Sequence, residues 1–126
     1  MEFNIKKNAT LPYLEVNLLK SGRLDYNNNT TNLSDADIFL YMKDVDTGVY
    51  KIVKGLCTYS NEDYTIYYQF TKKNTSDIGR FEIEFKISND QGVITLPLKD
   101  KLYVNILSSF SNSDFCCGPN IVTPIP

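Results

Sequence analysis

The chain has 126 residues, 42% of them hydrophobic, with nine tyrosines, seven phenylalanines, no tryptophan and no histidine. That length suits one domain with a core of its own, and a formal charge of −2 lacks the clustered Lys and Arg of a general nucleic-acid binder. Without histidine the commonest general base at neutral pH is missing, and no apolar run approaches the ~20 residues that span a bilayer.

In chain order, residues 2–6 read as a first short strand. Phe3 is on its expected core side. After the Leu11-Pro12 break, Leu14, Val16 and Leu18 alternate as a second strand. Residues 21–37 are polar and include Asn27-Asn28-Asn29-Thr30-Thr31-Asn32, where side-chain bonding competes with the backbone and predicts a surface loop. Residues 38–43 resume a strand whose register is ambiguous. Phe39 and Tyr41 are assigned to the core, although Ile38, Leu40 and Met42 form an equally apolar face. Asp46-Thr47-Gly48 turns the chain into a strand over residues 49–53, with Ile52 inward. Residues 63–70 follow, with Ile66, Tyr68 and Phe70 inward, and residues 71–79 cross over to the next strand.

The clearest pattern comes next. Phe81, Ile83, Phe85 and Ile87 fall on one side of a strand, and Arg80, Glu82, Glu84 and Lys86 on the other. A turn at residues 89–92 leads to strands over 93–98 and 102–107, where Ile94, Leu96, Tyr103 and Val104 are expected inside. Seven or eight short strands separated by turns, with at most one helical turn near 34–36 or 76–78, predict an all-β, immunoglobulin-like antiparallel sandwich. It occupies residues 1–107 and is followed by an extended arm over 108–126.

Reactive groups are sparse. Cys57 falls in a predicted strand, and Cys116 and Cys117 are adjacent, so the three read as free thiols of a reducing compartment. The opening MEFNIKKN has no apolar stretch of the kind a secretory leader needs. Asp44 and Asp46 have the spacing that opens calcium loops but lack the later oxygen ligands, and Asp and Gly are also what a turn prefers. Glu82 and Glu84 sit on one exposed strand face rather than across a cleft. No phosphate-binding glycine loop or metalloprotease helix is present. An enzyme is not expected, and neither is a cofactor.

The ordered motifs resemble one family. LPYLEVNLLKSGRLDY, NLSDADIFLYMKDVDTGVYKIVKG, DYTIYYQFTKKNTSDIGRFEIEFKI and DQGVITLPLKDKLYVNIL together are similar to the N-terminal immunoglobulin-like domain of phage baseplate upper proteins. The matching positions are Asp44 and Gly48, Tyr68 and Phe70, Thr75-Ser76-Asp77 with Gly79, Phe81 to Phe85, and Thr95 with Pro97. The resemblance covers roughly residues 11–107. It implies a non-enzymatic structural component of a tailed-phage virion, in the tail, collar, baseplate or capsid surface, made in the host cytoplasm. Family members usually continue into a long second region, whereas this sequence runs about twenty residues past its final predicted strand, which suggests a stand-alone virion component.

The implied partners are other virion proteins in a symmetric multi-chain assembly, with no nucleic acid and no membrane. The arm sharpens this expectation. Phe110, Phe115, Ile121, Val122 and Ile125 are apolar, Pro119, Pro124 and Pro126 keep the chain extended, and Cys116 and Cys117 lie among them. These side chains are the expected interface anchors, docked in a groove or as an added strand. The alternative is a carbohydrate-binding or host-attachment module that uses Tyr59, Tyr64 and Tyr67 as stacking platforms.

Overall fold

In the computed structural model the described residues are 2–18, 35–60, 62–97 and 101–108. They form nine strands and no helix: β1 (Glu2–Lys6), β2 (Leu14–Asn17), β3 (Asp37–Asp44), β4 (Tyr50–Leu56), β5 (Thr58–Ser60), β6 (Thr65–Tyr68), β7 (Gly79–Asn89), β8 (Gly92–Leu96) and β9 (Leu102–Leu107). One sheet runs β1-β9-β7-β3-β4, with β8 also paired to β7, and the other runs β2-β6-β5. This is an all-β sandwich. Its central strands, β9-β7-β3 against β2-β6-β5, follow the order of the G-F-C and B-E-D strands of immunoglobulin domains. β4 extends the first sheet as the additional strand of variable-type domains does.

Two details differ from the sequence expectation. There are nine strands rather than seven or eight, because Cys57 breaks the run after β4 and the short β5 joins the second sheet. The sandwich is also not wholly antiparallel. β1 lies parallel to β9, with Glu2 opposite Tyr103 and Lys6 opposite Leu107, and the Lys7 N–H extends the ladder to the Leu107 carbonyl at 2.7 Å. Alternation within a strand shows which side is apolar but carries no information on the direction of its neighbour.

β7 is the spine of the larger sheet. Its 11 residues pair β3 on one side along Asp37–Asp44. On the other side they pair β9 over Gly79–Ile83 and β8 over Phe85–Asn89. β8 and β9 therefore lie end to end on one edge. The alternation that marked this strand in the sequence is reproduced: Phe81, Ile83, Phe85 and Ile87 are buried and the intervening residues are not. Each such side chain contributes about 1.5–3 kcal/mol on leaving water.

The core brings both sheets together, with Leu14, Val16 and Ile66 from one and Leu40, Met42, Phe85 and Val104 from the other. In β3 the other register prevails. Ile38, Leu40 and Met42 are buried, while Phe39 and Tyr41 lie half-buried on the outer face, contrary to their assignment as core. Tyr103 is also an outer-face residue, opposite Glu82. Phe3, Tyr68 and Ile94 pack against the core without being fully enclosed. Ile5, Cys57, Leu102 and Ile106 join it unpredicted. Cys57 is a free, buried thiol, so aliphatic packing takes the place of the disulfide and tryptophan that staple antibody sheets.

The crossover from β6 to β7 is held by side chains rather than by a helix. Ser76 and Asp77 form a bend in place of a helical turn, and Ser34 lies outside the described residues. Asn74 Oδ1 accepts from the Thr71 N–H at 2.9 Å and from the Tyr68 hydroxyl at 3.0 Å. The fully buried Thr75 donates its hydroxyl to the Ala9 carbonyl at 2.9 Å. Lys51 reaches across from β4 to Asp77 at 2.7 Å and Ser76 at 2.9 Å. Three separate parts of the chain thus converge on one loop. The expected loop at 27–32 lies outside the described residues.

Candidate functional site

The outer face of the larger sheet takes its side chains from odd positions of β3 and β9 and even positions of β7 and β1, as period-two alternation requires. Register sets them in rows: Glu2, Tyr103, Glu82, Lys43 and Tyr50 in one, and Asn4, Asn105 and Arg80 in the next. Across the face, chemistry changes from polar to apolar. At the β1–β9 side, Asn105 donates to Glu2 at 2.8 Å and to Asn4 at 2.9 Å, and Arg80 donates to Glu2 at 3.3 Å. The Arg80 guanidinium also lies 3.8 Å from the Tyr103 ring centroid. The Asn105 hydrogen bond, and secondly the Arg80 charge, hold the Glu2 carboxyl below the usual carboxylate range. This half is already occupied with its own partners.

The β3–β4 side is different. Phe39 pairs Leu56, Lys43 pairs Tyr50, and Tyr41 lies between. Tyr50 is 53% exposed, Val53 63% and Leu56 70%. Tyr41, Tyr50, Val53, Glu84 and Lys86 line an open hollow of about 190 Å³, with Lys86 Nζ 4.9 Å from the Tyr41 ring centroid. β4 departs from simple alternation because its register against β3 shifts twice, between Leu40 and Met42 and again before Lys43. Lys54 takes a left-handed φ of 56° within the first shift. The result is an edge strand with apolar side chains facing solvent. Among the described residues β3 is its only hydrogen-bonded neighbour. Lys43 on β3 and Glu82, Glu84 and Lys86 on β7 border these aromatic and aliphatic groups on the side away from the β4 edge.

The anchors expected from the sequence, Phe110, Phe115, Cys116, Cys117, Ile121, Val122 and Ile125, lie outside the described residues, as does the arm beyond Ser108. The three candidate stacking tyrosines are described, and they are not brought together. Tyr59 lies opposite Ile66 and packs against the core, as does Tyr64, whose carbonyl accepts the Leu18 N–H at 2.9 Å. Tyr67 points the other way, opposite Glu15 and Thr58. The aromatic residues that share the outer face of the larger sheet, among those described, are Phe39, Tyr41, Tyr50 and Tyr103, with Tyr41 and Tyr50 lining the hollow. The signal for them was present in the sequence as apolar residues left over on both sides of residues 38–42 and 49–56.

The remaining candidates take ordinary structural roles. Asp44 Oδ1 accepts the N–H groups of Asp46 at 2.8 Å and Thr47 at 3.0 Å, which closes the β3–β4 turn. Glu82 faces Lys101 at 3.6 Å. Burial pushes the Cys57 thiol up to about 12, which leaves it almost wholly protonated at neutral pH. No group of three or more metal-ligating side chains occurs among the described residues, and no helix among them is long and apolar enough to cross a membrane.

Fold and face together define an all-β sandwich that presents aromatic and aliphatic side chains beside β4, whose only hydrogen-bonded neighbour among the described residues is β3. Neither a protein-family model nor a curated protein matches the sequence.

Proposed function

We propose that this chain is a non-enzymatic assembly module of a tailed-phage virion, acting through protein–protein contact. The observation that carries the assembly part is the solvent-facing apolar side chains of Tyr50, Val53 and Leu56 on an edge strand, contiguous with Phe39 and Tyr41. The phage assignment rests on the ordered motifs between residues 11 and 107 and on their resemblance to baseplate upper proteins. The test is quantitative mass spectrometry of virions purified from cells that carry the chain in its own genome. The reading expects a fixed copy number matching a tail or capsid symmetry, and absence from the particle ends it.

A second reading has its own observation. The hollow between Tyr41 and Tyr50 combines aromatic rings with Glu84 and Lys86, groups that could stack on and hydrogen-bond a sugar. A glycan-array screen separates the two. Saturable binding that is lost in Tyr50→Ala supports a host-attachment role in place of assembly.

A further inference from the structure

We propose that this chain docks head to tail on a second copy of itself, a basic corner at one end of the sandwich meeting an acidic cluster at the other, an inference that rests on the assembly reading above. β3 runs from Asp37, opposite Ser88, to Asp44, opposite Phe81, and so defines the two ends. At the Asp44 end lie the close of β1, the close of β9 and the crossover into β7. Lys6, Lys7, Lys72 and Lys73 stand exposed there. They come from two segments that are tied together, since the Asn8 N–H donates to the Thr75 carbonyl at 2.9 Å and the Thr75 hydroxyl to the Ala9 carbonyl. Of the acids at this end, Asp77 is paired with Lys51 at 2.7 Å. Asp44 and Asp46 belong to the β3–β4 turn, at the far edge of the sheet from β1.

The Asp37 end has the opposite charge. Asp35 and Asp37 stand at the opening of β3, and Asp90 is in the β7–β8 turn that follows Ser88, the partner of Asp37. β6 leads to the crossover at the other end and β5 is antiparallel to it, so the turn between them puts Glu62 and Asp63 at the Asp37 end. Asp35, Asp37, Glu62, Asp63 and Asp90 are all exposed. Among the described residues neither these carboxylates nor the four lysines have an ion-pair partner.

The two ends do not neutralise each other within one molecule. β7 crosses from one to the other, and its 11 residues extend about 36 Å at ~3.3 Å each. That is several times the ~8 Å over which charge is felt at physiological salt. The side chains outside the described residues do not supply the difference either: Asp25, Asp100 and Asp114 stand against Lys20, Arg23 and Lys99, three of each sign. A neighbouring copy brings both charges at once. Like ends repel, so unlike ends meet, and such a contact propagates into a ring or a filament. The charges set its orientation, while each exposed pair adds little strength. Ile78 and Leu107 beside the lysines and Val93 beside Asp90 are exposed and add apolar area at the two ends.

The test is sedimentation velocity of the full chain across a concentration series, at about 0.01 M and about 1 M salt, between which the screening length falls from roughly 30 to 3 Å. Lys72→Glu with Lys73→Glu leaves the basic corner two positive and two negative charges, and Glu62→Lys with Asp90→Lys sets two positive charges among three acids. All four positions are exposed. The wild type is expected to grow with concentration at low salt and to fall to monomer at high salt, while each double variant stays monomeric in both. Mixing the two variants at low salt gives a one-to-one heterodimer and nothing larger, because each keeps the end that the other has lost. Growth of the wild type that survives high salt, growth of either variant alone, or a mixture that stays monomeric overturns the proposal. So does a wild type that stays monomeric, including one that binds polyphosphate through Lys72 and Lys73, which assigns the basic corner to an anionic polymer. A chain that is monomeric alone yet present in virions at fixed copy number refutes this contact and leaves the assembly reading standing; absence from virions refutes the assembly reading itself.

Discussion

The ring of Tyr68 occupies the space into which a side chain at Gly55 would grow. A Cβ there would stand 2.9 Å from Tyr68 Cε1 and 2.8 Å from Ile52 Cγ2, closer than side-chain carbons tolerate. Gly55 is in β4 and Tyr68 in β6, so this approach joins the two sheets at the edge that carries the exposed patch. Tyr68 has little freedom to move, because its hydroxyl is bonded to Asn74 and its ring packs edge-on to Phe70 at 5.3 Å. Gly55→Ala is expected to lose about 1–3 kcal/mol of stability, the usual cost of overpacking. Chemical denaturation checks it, and unchanged stability would mean that β4 and Tyr68 can separate freely.

Thr75 offers a second measurement. Its hydroxyl is fully buried and donates to the Ala9 carbonyl, tying the link between β1 and β2 to the crossover. Thr75→Val keeps the shape and removes the donor, and is expected to cost about 0.5–1.5 kcal/mol, the usual net worth of one lost hydrogen bond at a half-buried carbonyl. Thr75→Ser retains the donor and loses only a methyl group, so the Val variant should be the less stable of the two in thermal melts.

Two carboxyls predict the acid response. Asp77 is held below the usual carboxylate range by its hydrogen bond from Lys51 and then by the Lys51 charge, and Glu2 by Asn105 and then Arg80. A carboxyl whose folded pKa is depressed stabilises the fold above its unfolded pKa and loses that contribution as pH falls through the folded value. Stability should therefore decline below the ordinary carboxylate range, and the decline should flatten in Asp77→Asn with Glu2→Gln. Side-chain NMR titration gives the direct check: Lys51→Met should move the Asp77 midpoint upward.

Cys57 should be silent to thiol reagents. With its pKa pushed up to about 12, only about one thiol in ten thousand is ionised at pH 8. In a Cys116→Ser, Cys117→Ser background, labelling at pH 8 is expected to occur only as denaturant opens the core, with a midpoint matching global unfolding. Rapid labelling in native buffer would contradict the burial of this residue.

Much of this fold was legible as period-two alternation. Glu2–Lys6 and Leu102–Leu107 have the bounds that the sequence gives them, and the inward face of β7 follows directly from Phe81, Ile83, Phe85 and Ile87. β3 was legible as a strand but not in its register, because Phe39 and Tyr41 are as apolar as Ile38, Leu40 and Met42: the latter pack in the core and the former build the outer patch with Tyr50 and Leu56. A strand with two greasy faces does not fix its own register. β4 was obscured by register shifts that break the alternation, and Tyr59, Tyr64 and Tyr67 were grouped although Tyr59 in β5 and Tyr64 ahead of β6 pack against the core while Tyr67 in β6 faces the other way. The candidate site was therefore visible only as unexplained apolar residues.

The parallel pairing of β1 with β9 also sets an order of events during synthesis. Glu2 finds its partner in Tyr103, about a hundred residues later in the chain. At ~5–20 residues per second, β1 waits roughly 5–20 s on the ribosome before β9 has been made. Until then Ile5 and Phe3 have no sheet to join, and the contact that closes this side of the sandwich is among the most distant in the sequence. Such pairings slow folding because a long loop must be ordered before they form. β1 is thus made well before the strand that fixes it.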